Sequence, residues 1–233
     1  MTVLLHIDAS ARAVRSISRS LSGAFVDAWR RHDPGVEVLR RDVGGAPPPF
    51  VSEAWIAAAF TPEGERTEAQ RCELAASDRL IDELARADVI AMGAPMYNYG
   101  MPAALKAWVD QVVRVNRTFS FDLARGDFPL RPILGGKTLA LFTSSGEFGF
   151  EPGGVRASMN HLAAHVDTVR HYLGAERMHH IAAEYQEFGD ERHRASVAEA
   201  MQQAAALADA LARDGARPAP ALTKGERSPE RRR

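Results

Sequence analysis

Residues 1–20, MTVLLHIDASARAVRSISRS, read as a strand, a loop and a helix start in direct succession. Val3-Leu4-Leu5-His6-Ile7 is a short apolar run with branched residues, which has the length and composition of a buried strand. It stops at Asp8-Ala9-Ser10 and opens a loop that carries Ser10, Arg12, Arg15, Ser16, Ser18, Arg19 and Ser20. Apolar residues then return at helical spacing from Leu21 to Trp29. A strand feeding a hydroxyl-rich loop and a helix leaves unpaired N–H groups and the positive end of the helix dipole facing the loop. Serine hydroxyls add small, rotatable donors, and a phosphate monoester is the ligand such a loop suits. A turn in which Ser16 or Ser18 merely caps the helix explains one serine and not four. Neither G-x-x-x-x-G-K-[ST] nor G-x-G-x-x-G occurs, so triphosphate and dinucleotide readings lack their motifs.

Outward from that loop, Asp33-Pro34-Gly35 breaks the helix and Val36–Arg40 alternates as a second strand. Three consecutive prolines make Asp42–Pro49 a loop. Helices are expected over Ser52–Phe60 and Thr67–Ala87, and Asp88–Met92 is apolar enough for a strand buried on both faces. Gly93-Ala94-Pro95-Met96-Tyr97-Asn98-Tyr99-Gly100 is a loop by its glycine and proline content, yet rich in Met and Tyr. Loops that leave the carboxyl ends of parallel strands build ligand sites. This one offers flat apolar groups and an amide, suited to a planar heteroaromatic ring; packing against a neighbouring subunit is the compatible alternative. Pro102 suits the first turn of a helix over Ala103–Val113. Asn116–Pro132 shows neither helical nor strand periodicity, and a long excursion of that kind in a compact domain is usually functional. A fourth strand, Thr138–Thr143, ends at the small-residue loop Ser144-Ser145-Gly146-Glu147. A helix over Ser158–Leu173 stopped by Gly174, a fifth strand Met178–Ala183 and a helix Asp190–Asp214 complete the pattern.

The 233 residues suffice for one sizeable α/β domain, placed here at 1–214, with 215–233 as a basic tail. Residues Arg217–Arg233 hold six basic and two acidic side chains among prolines without periodicity, a composition expected to be disordered. A net charge of −1 gives no case for nucleic acid, and no apolar run reaches membrane-spanning length. The single cysteine, Cys72, excludes an internal disulfide and a cysteine metal cluster, which suits a cytoplasmic protein. With no histidine beside it, Cys72 is read as structural rather than catalytic. His161 and His165 stand four apart without an H-E-x-x-H pattern, so no metal site is expected.

Strands alternating with helices predict an α/β fold, a doubly wound five-stranded parallel sheet with helices on both faces. In the flavodoxin-like order 2-1-3-4-5, the carboxyl ends of strands one, three and four share one crevice. Those ends carry the serine loop, the Met-Tyr-Asn-Tyr loop and the Ser-Ser-Gly loop.

These residues resemble the FMN-dependent NADH-azoreductases, also called FMN-dependent NADH:quinone oxidoreductases, over roughly residues 2–212. The resemblance rests on Asp8-Ala9-Ser10 with Ser16-Ile17-Ser18, on Ala94-Pro95-Met96-Tyr97-Asn98-Tyr99 with Pro102, Leu105 and Lys106, and on Thr118-Phe119-Ser120-Phe121. It implies that Ser10, Ser16, Ile17 and Ser18 hold the FMN phosphate. Pro95, Met96, Tyr97, Asn98 and Tyr99 would line the isoalloxazine ring, and Ser144, Ser145, Gly146 and Glu147 would close its polar edge. The family usually has Ser-Arg-Gly-Gly at that last loop, so Ser145 and Glu147 depart from its pattern. It further implies a homodimer in which Phe119 and Phe121 of the partner cover the flavin. NADH or NADPH would be the co-substrate and a quinone or azo compound the planar acceptor, in a two-electron ping-pong cycle with no obligatory catalytic side chain. A flavodoxin-type electron carrier without a substrate of its own is the competing expectation.

Overall fold

The computed structural model describes residues 1–214, and the expectation for 215–233 lies outside them. Its strands are β1 Val3–Asp8, β2 Glu37–Asp42, β3 Val89–Pro95, β4 Phe119–Phe121, β5 Leu130–Pro132, β6 Lys137–Ser144 and β7 Ala175–Ala183. Its α-helices are α1 Ile17–His32, α2 Glu53–Phe60, α3 Glu68–Arg86, α4 Ala103–Val112, α5 His161–Val169 and α6 Glu191–Asp214. Five strands form a parallel sheet in the order β2-β1-β3-β6-β7. With β6 and β7 as the fourth and fifth strands of that sheet, this is the expected order 2-1-3-4-5.

Successive side chains of a strand point to opposite faces, so each strand feeds two cores. Leu5, Ile7, Ile90, Met92, Leu139 and Leu141 pack beneath α3, α4 and α5, around the fully buried Trp108. Leu4, Val89, Ala91, Ala140 and Phe142 face α1 and α6, where Phe25 lies 5.3 Å from the Phe142 ring. The central strands β3 and β6 are buried along their whole length, the consequence of helices on both faces. Helix starts follow the sequence chemistry. Thr67 and Gln70 form a capping box at α3, and Ser52 caps α2.

Three expectations are corrected. Gly93, Ala94 and Pro95 continue β3, paired with Phe142, Thr143 and Ser144, so the loop begins only at Met96. The excursion Asn116–Pro132 contains strands: β4 pairs antiparallel with β5, Phe119 opposite Pro132 and Phe121 opposite Leu130. Three-residue strands are too short to display a period of two, which is why the pattern is silent there. The expected helix Ser158–Leu173 is shorter, because a 3₁₀ turn over Ala157–Met159 ends at Asn160, whose side chain accepts from the Ala163 N–H and starts α5 afresh. Cys72 is exposed on α3. No described helix is long and apolar enough to cross a membrane.

The register brings the strand ends level. Asp8 pairs with Gly93, Pro95 with Ser144, and Ser144 with Ala183. The loops that follow all open on the same edge.

Candidate functional site

Ser16 begins the site. It caps α1, its Oγ accepting from the Arg19 N–H at 3.4 Å, and its backbone is extended before the helix begins. No acidic residue stands in the first turn of α1, whereas Arg30, Arg31 and His32 occupy the last. The helix therefore leaves its positive end free for an outside anion. Gly93 lets that end lie close on β3, since a Cβ there would sit 2.8 Å from the Ser18 carbonyl oxygen and 2.7 Å from Ser22 Oγ.

Beneath the loop, charged side chains brace its backbone. Arg19 donates to the Ser10 carbonyl at 2.7 Å and to the Asp42 carboxylate at 2.5 and 3.0 Å. The Asp42 carboxyl is held below the usual carboxylate range chiefly by that guanidinium, and Arg19 is raised chiefly by Asp42. Ser22 Oγ donates to Asp8 at 2.9 Å and lies 3.0 Å from His6 Nε2. Ser10 and Ser16 are buried, and the Ser10 hydroxyl accepts from the Arg12 N–H at 3.2 Å.

The β3 and β6 ends are tied where they leave the sheet. The Met96 N–H donates to the Ser144 carbonyl at 2.8 Å, and the Ser145 N–H to the Ala183 carbonyl at 3.0 Å. Beyond Met96 the chain turns sharply. Tyr97 and Gly100 exchange both backbone hydrogen bonds at 3.0 Å, with Asn98 at φ 49° and Tyr99 at φ 64°. Positive φ at both central residues defines a type I′ turn. An aromatic residue there is strained by about 1–3 kcal/mol.

One cleft of about 240 Å³ unites these loops, lined by Ser10, Arg12, Arg15, Ser16, Ile17, Pro95, Met96, Tyr97, Ser144, Gly146, Gln186 and Glu187. Eight of the thirteen residues named from the sequence as cofactor-binding thus meet at one place. Ser18 lies just behind, fully buried, its Oγ 3.4 Å from Ser16 Oγ. Asn98 and Tyr99 form the turn above Tyr97, and Tyr99 reaches away to Glu147. Ser145 faces the neighbouring cavity on the α5 side. Phe119 packs edge-on against Tyr172 at 5.5 Å, beside the segment that leads into the amino end of β7, so it stands far from this chain's own cleft.

Sequence reasoning left four lining residues unassigned. Arg12 and Arg15 are exposed, and neither pairs with a carboxylate among the described residues. Their place in the serine loop was the available signal. Gln186 and Glu187 come from the loop after β7, where Gln186 and Glu187 N–H groups donate to the Ser145 and Gly146 carbonyls at 3.1 and 3.0 Å. A side chain on Gly146 would meet Glu187 at 2.6 Å, so glycine is what lets the two loops close. Arg15, Asn98, Tyr99 and Tyr185 all adopt positive φ in the loops around this cleft. Strained backbone concentrated at one edge marks a functional site.

The family described as flavodoxin-like fold matches residues 2–208. The chain belongs to that family. Among curated relatives, FMN-dependent NADH:quinone oxidoreductase 2 of Idiomarina loihiensis is 56% identical over 218 residues, covering 91% of each chain. FMN-dependent NAD(P)H:quinone oxidoreductase 1 of Pseudomonas aeruginosa is 42% identical over 209 residues, covering 89% of this chain and 99% of its own. Among solved structures, an azoreductase from Bacillus anthracis superposes with a TM-score of 0.79 at 23% identity, covering 90% of this chain and all of that one, a likeness of fold.

Proposed function

We propose that this flavodoxin-like chain binds FMN and uses it as an NAD(P)H:quinone oxidoreductase that also reduces azo compounds. One observation carries the reading: the carboxyl ends of β1, β3 and β6 bring an anion-binding loop and a flat, sulfur- and aromatic-lined loop to a single cleft. The relatives named above, whose sequences match over nine-tenths of this chain, support an enzyme rather than a bare electron carrier.

The residues present fit the cofactor. The phosphate monoester would be held by the Ser10 and Ser16 hydroxyls, the free N–H groups of Ile17 and Ser18 at the start of α1, and the charges of Arg12 and Arg15. Met96 and Tyr97 would lie against the isoalloxazine ring, with Pro95 fixing the loop's exit from β3. Ser144 and Gly146 would present the polar edge. Bound FMN supplies the hydride chemistry that passes two electrons from NADH or NADPH to the acceptor. The chain contributes position and oriented dipoles, and no side chain need act as an obligatory acid or base. The accompanying expectation is a ping-pong order, in which nicotinamide and acceptor use the open flavin face in turn.

A homodimer belongs to the same reading. Phe121 is half exposed on β4 and Phe119 stands outside its own cleft, positions suited to covering the cleft of a second copy. A monomer in sedimentation equilibrium would overturn that part alone. A cytoplasmic location is the accompanying expectation, supported by a lone, exposed thiol.

The test is an assay of quinone and azo-dye reduction with NADH, using protein stripped of flavin and then supplied with FMN. Activity that needs both FMN and NADH is expected. Reduction without FMN, or FMN-loaded protein inert toward every quinone and azo dye tried, would contradict the assignment.

A further inference from the structure

The strained turn at Asn98-Tyr99 needs something to hold it, and the side chains show what does. The Tyr99 hydroxyl donates to Glu147 Oε2 at 2.9 Å. The other carboxylate oxygen, Oε1, pairs with Arg156 Nη2 at 3.1 Å. Arg156 is anchored in turn, its guanidinium 4.7 Å above the Phe148 ring and its Nη1 donating to the Phe148 carbonyl at 3.1 Å. The Tyr99 carbonyl accepts from the His161 N–H at 3.0 Å, so both ends of the residue are fixed.

We propose that Tyr99, Glu147 and Arg156 form a positioning latch that sets the spacing between the β3–α4 turn and the β6–α5 loop. The proposal rests on the flavin reading, because those two loops carry the residues assigned to the ring: Met96 and Tyr97 on one, Ser144 and Gly146 on the other. At the base they are tied by the Met96–Ser144 backbone bond. At the mouth the Tyr99–Glu147 contact spans them, and Glu147 sits one residue beyond the lining Gly146. The Glu147 backbone is held as well, its carbonyl accepting from the Tyr185 N–H at 3.1 Å and from Ser145 Oγ at 3.0 Å. Glu147 and Arg156 are about two-thirds shielded or more, so their pairing escapes part of the solvent screening that makes exposed ion pairs weak. Such a latch touches neither the phosphate loop nor the reacting atoms. It acts on the ring end only, through the residues it positions.

That location makes the test specific. Full-length protein freed of flavin is titrated with FMN and with riboflavin, following the quenching of flavin fluorescence. The variants are Tyr99→Phe, Glu147→Ala, both together, and Glu147→Gln as the conservative replacement that keeps an acceptor for the phenol. Each of the first two should weaken FMN and riboflavin by one common factor, about three- to tenfold, the scale of one hydrogen bond. The double variant should be no weaker than the weaker single one, and Glu147→Gln should recover most of the loss. The visible absorption bands of the bound flavin should shift in the two single variants, which a change in global stability alone would not cause. Unchanged affinities in both single variants would overturn the latch. So would losses that multiply in the double variant, or a loss confined to FMN. Should Glu147→Ala fail to fold, Tyr99→Phe, which removes one oxygen from an exposed ring, decides the matter by itself. Wild-type protein that binds neither flavin would overturn the flavin reading and the latch with it, whereas normal wild-type binding beside unaltered variants overturns the latch alone.

Discussion

The Met96 N–H donates to the carbonyl of Ser144 at 2.8 Å, across the last rung between β3 and β6. The bond fixes two loops at a common origin, so a ring lying against Met96 has Ser144 at its edge. It also explains why distant stretches of sequence converge. Once β3 and β6 pair in register, their carboxyl ends have nowhere else to send the chain.

Ser16 performs two tasks, capping α1 and presenting a hydroxyl to the cleft. Ser16→Ala should lower stability by about 1 kcal/mol for the lost cap. In a domain of this size that corresponds to a melting temperature lower by about 2–4 °C. The same variant should weaken FMN binding while leaving riboflavin binding nearly unchanged, since riboflavin lacks the phosphate. Calorimetric melting and paired flavin titrations check both halves.

Asp42 braces the serine loop through Arg19, and the guanidinium depresses its folded-state carboxyl below the unfolded value. A depressed carboxyl contributes stability that is present above its unfolded pKa, about 3.9, and is lost as pH falls through the folded value. Asp42→Asn should therefore be less stable than wild type in urea at neutral pH, and the gap should close at acid pH. A gap that stays constant from pH 7 to the acid limb would show that Arg19 draws nothing from this pair.

Gly93 admits no side chain, because backbone rather than a flexible tip lies in the way: the Ser18 carbonyl oxygen would be 2.8 Å from a Cβ. Gly93→Ala should push α1 off the sheet at a cost of about 1–3 kcal/mol. Gly146→Ala meets the Glu187 side chain rather than backbone and should cost less in stability, acting instead on flavin affinity. Urea unfolding of the two variants side by side tests this ranking.

The Tyr99 phenol is raised above the ordinary tyrosine range, first of all by its hydrogen bond to Glu147. A raised phenol stabilises the latch at every pH below the unfolded value and withdraws that contribution as pH climbs through the folded one. Ultraviolet titration of wild type minus Tyr99→Phe should show the missing phenol ionising late. In Glu147→Gln it should ionise earlier.

Much of this architecture was legible in the residues. The apolar runs Val3–Ile7, Val89–Met92 and Thr138–Thr143 lie in strands buried on both faces, and such strands announce themselves without alternation. The cleft was legible for a related reason: a parallel sheet sends its loops out at carboxyl ends, and three of those loops had unusual compositions. What stayed hidden depends on side-chain direction or on very short pairing. The β4–β5 ribbon has three residues a strand, below any periodic signal. Tyr99 turning from the cleft to Glu147 follows from a left-handed backbone that its residue type disfavours. Gln186 and Glu187 enter only because β7 runs beside β6 and its exit loop folds back over Gly146.

The most direct test of the central claim is a crystal structure of the protein grown with FMN. The account predicts one flavin per chain, its phosphate bonded to Ser10, Ser16 and the Ile17 N–H and its ring between the Met96–Tyr97 and Ser144–Gly146 loops. A flavin bound elsewhere on the chain, or a cleft that stays free of flavin at saturating FMN, would contradict it.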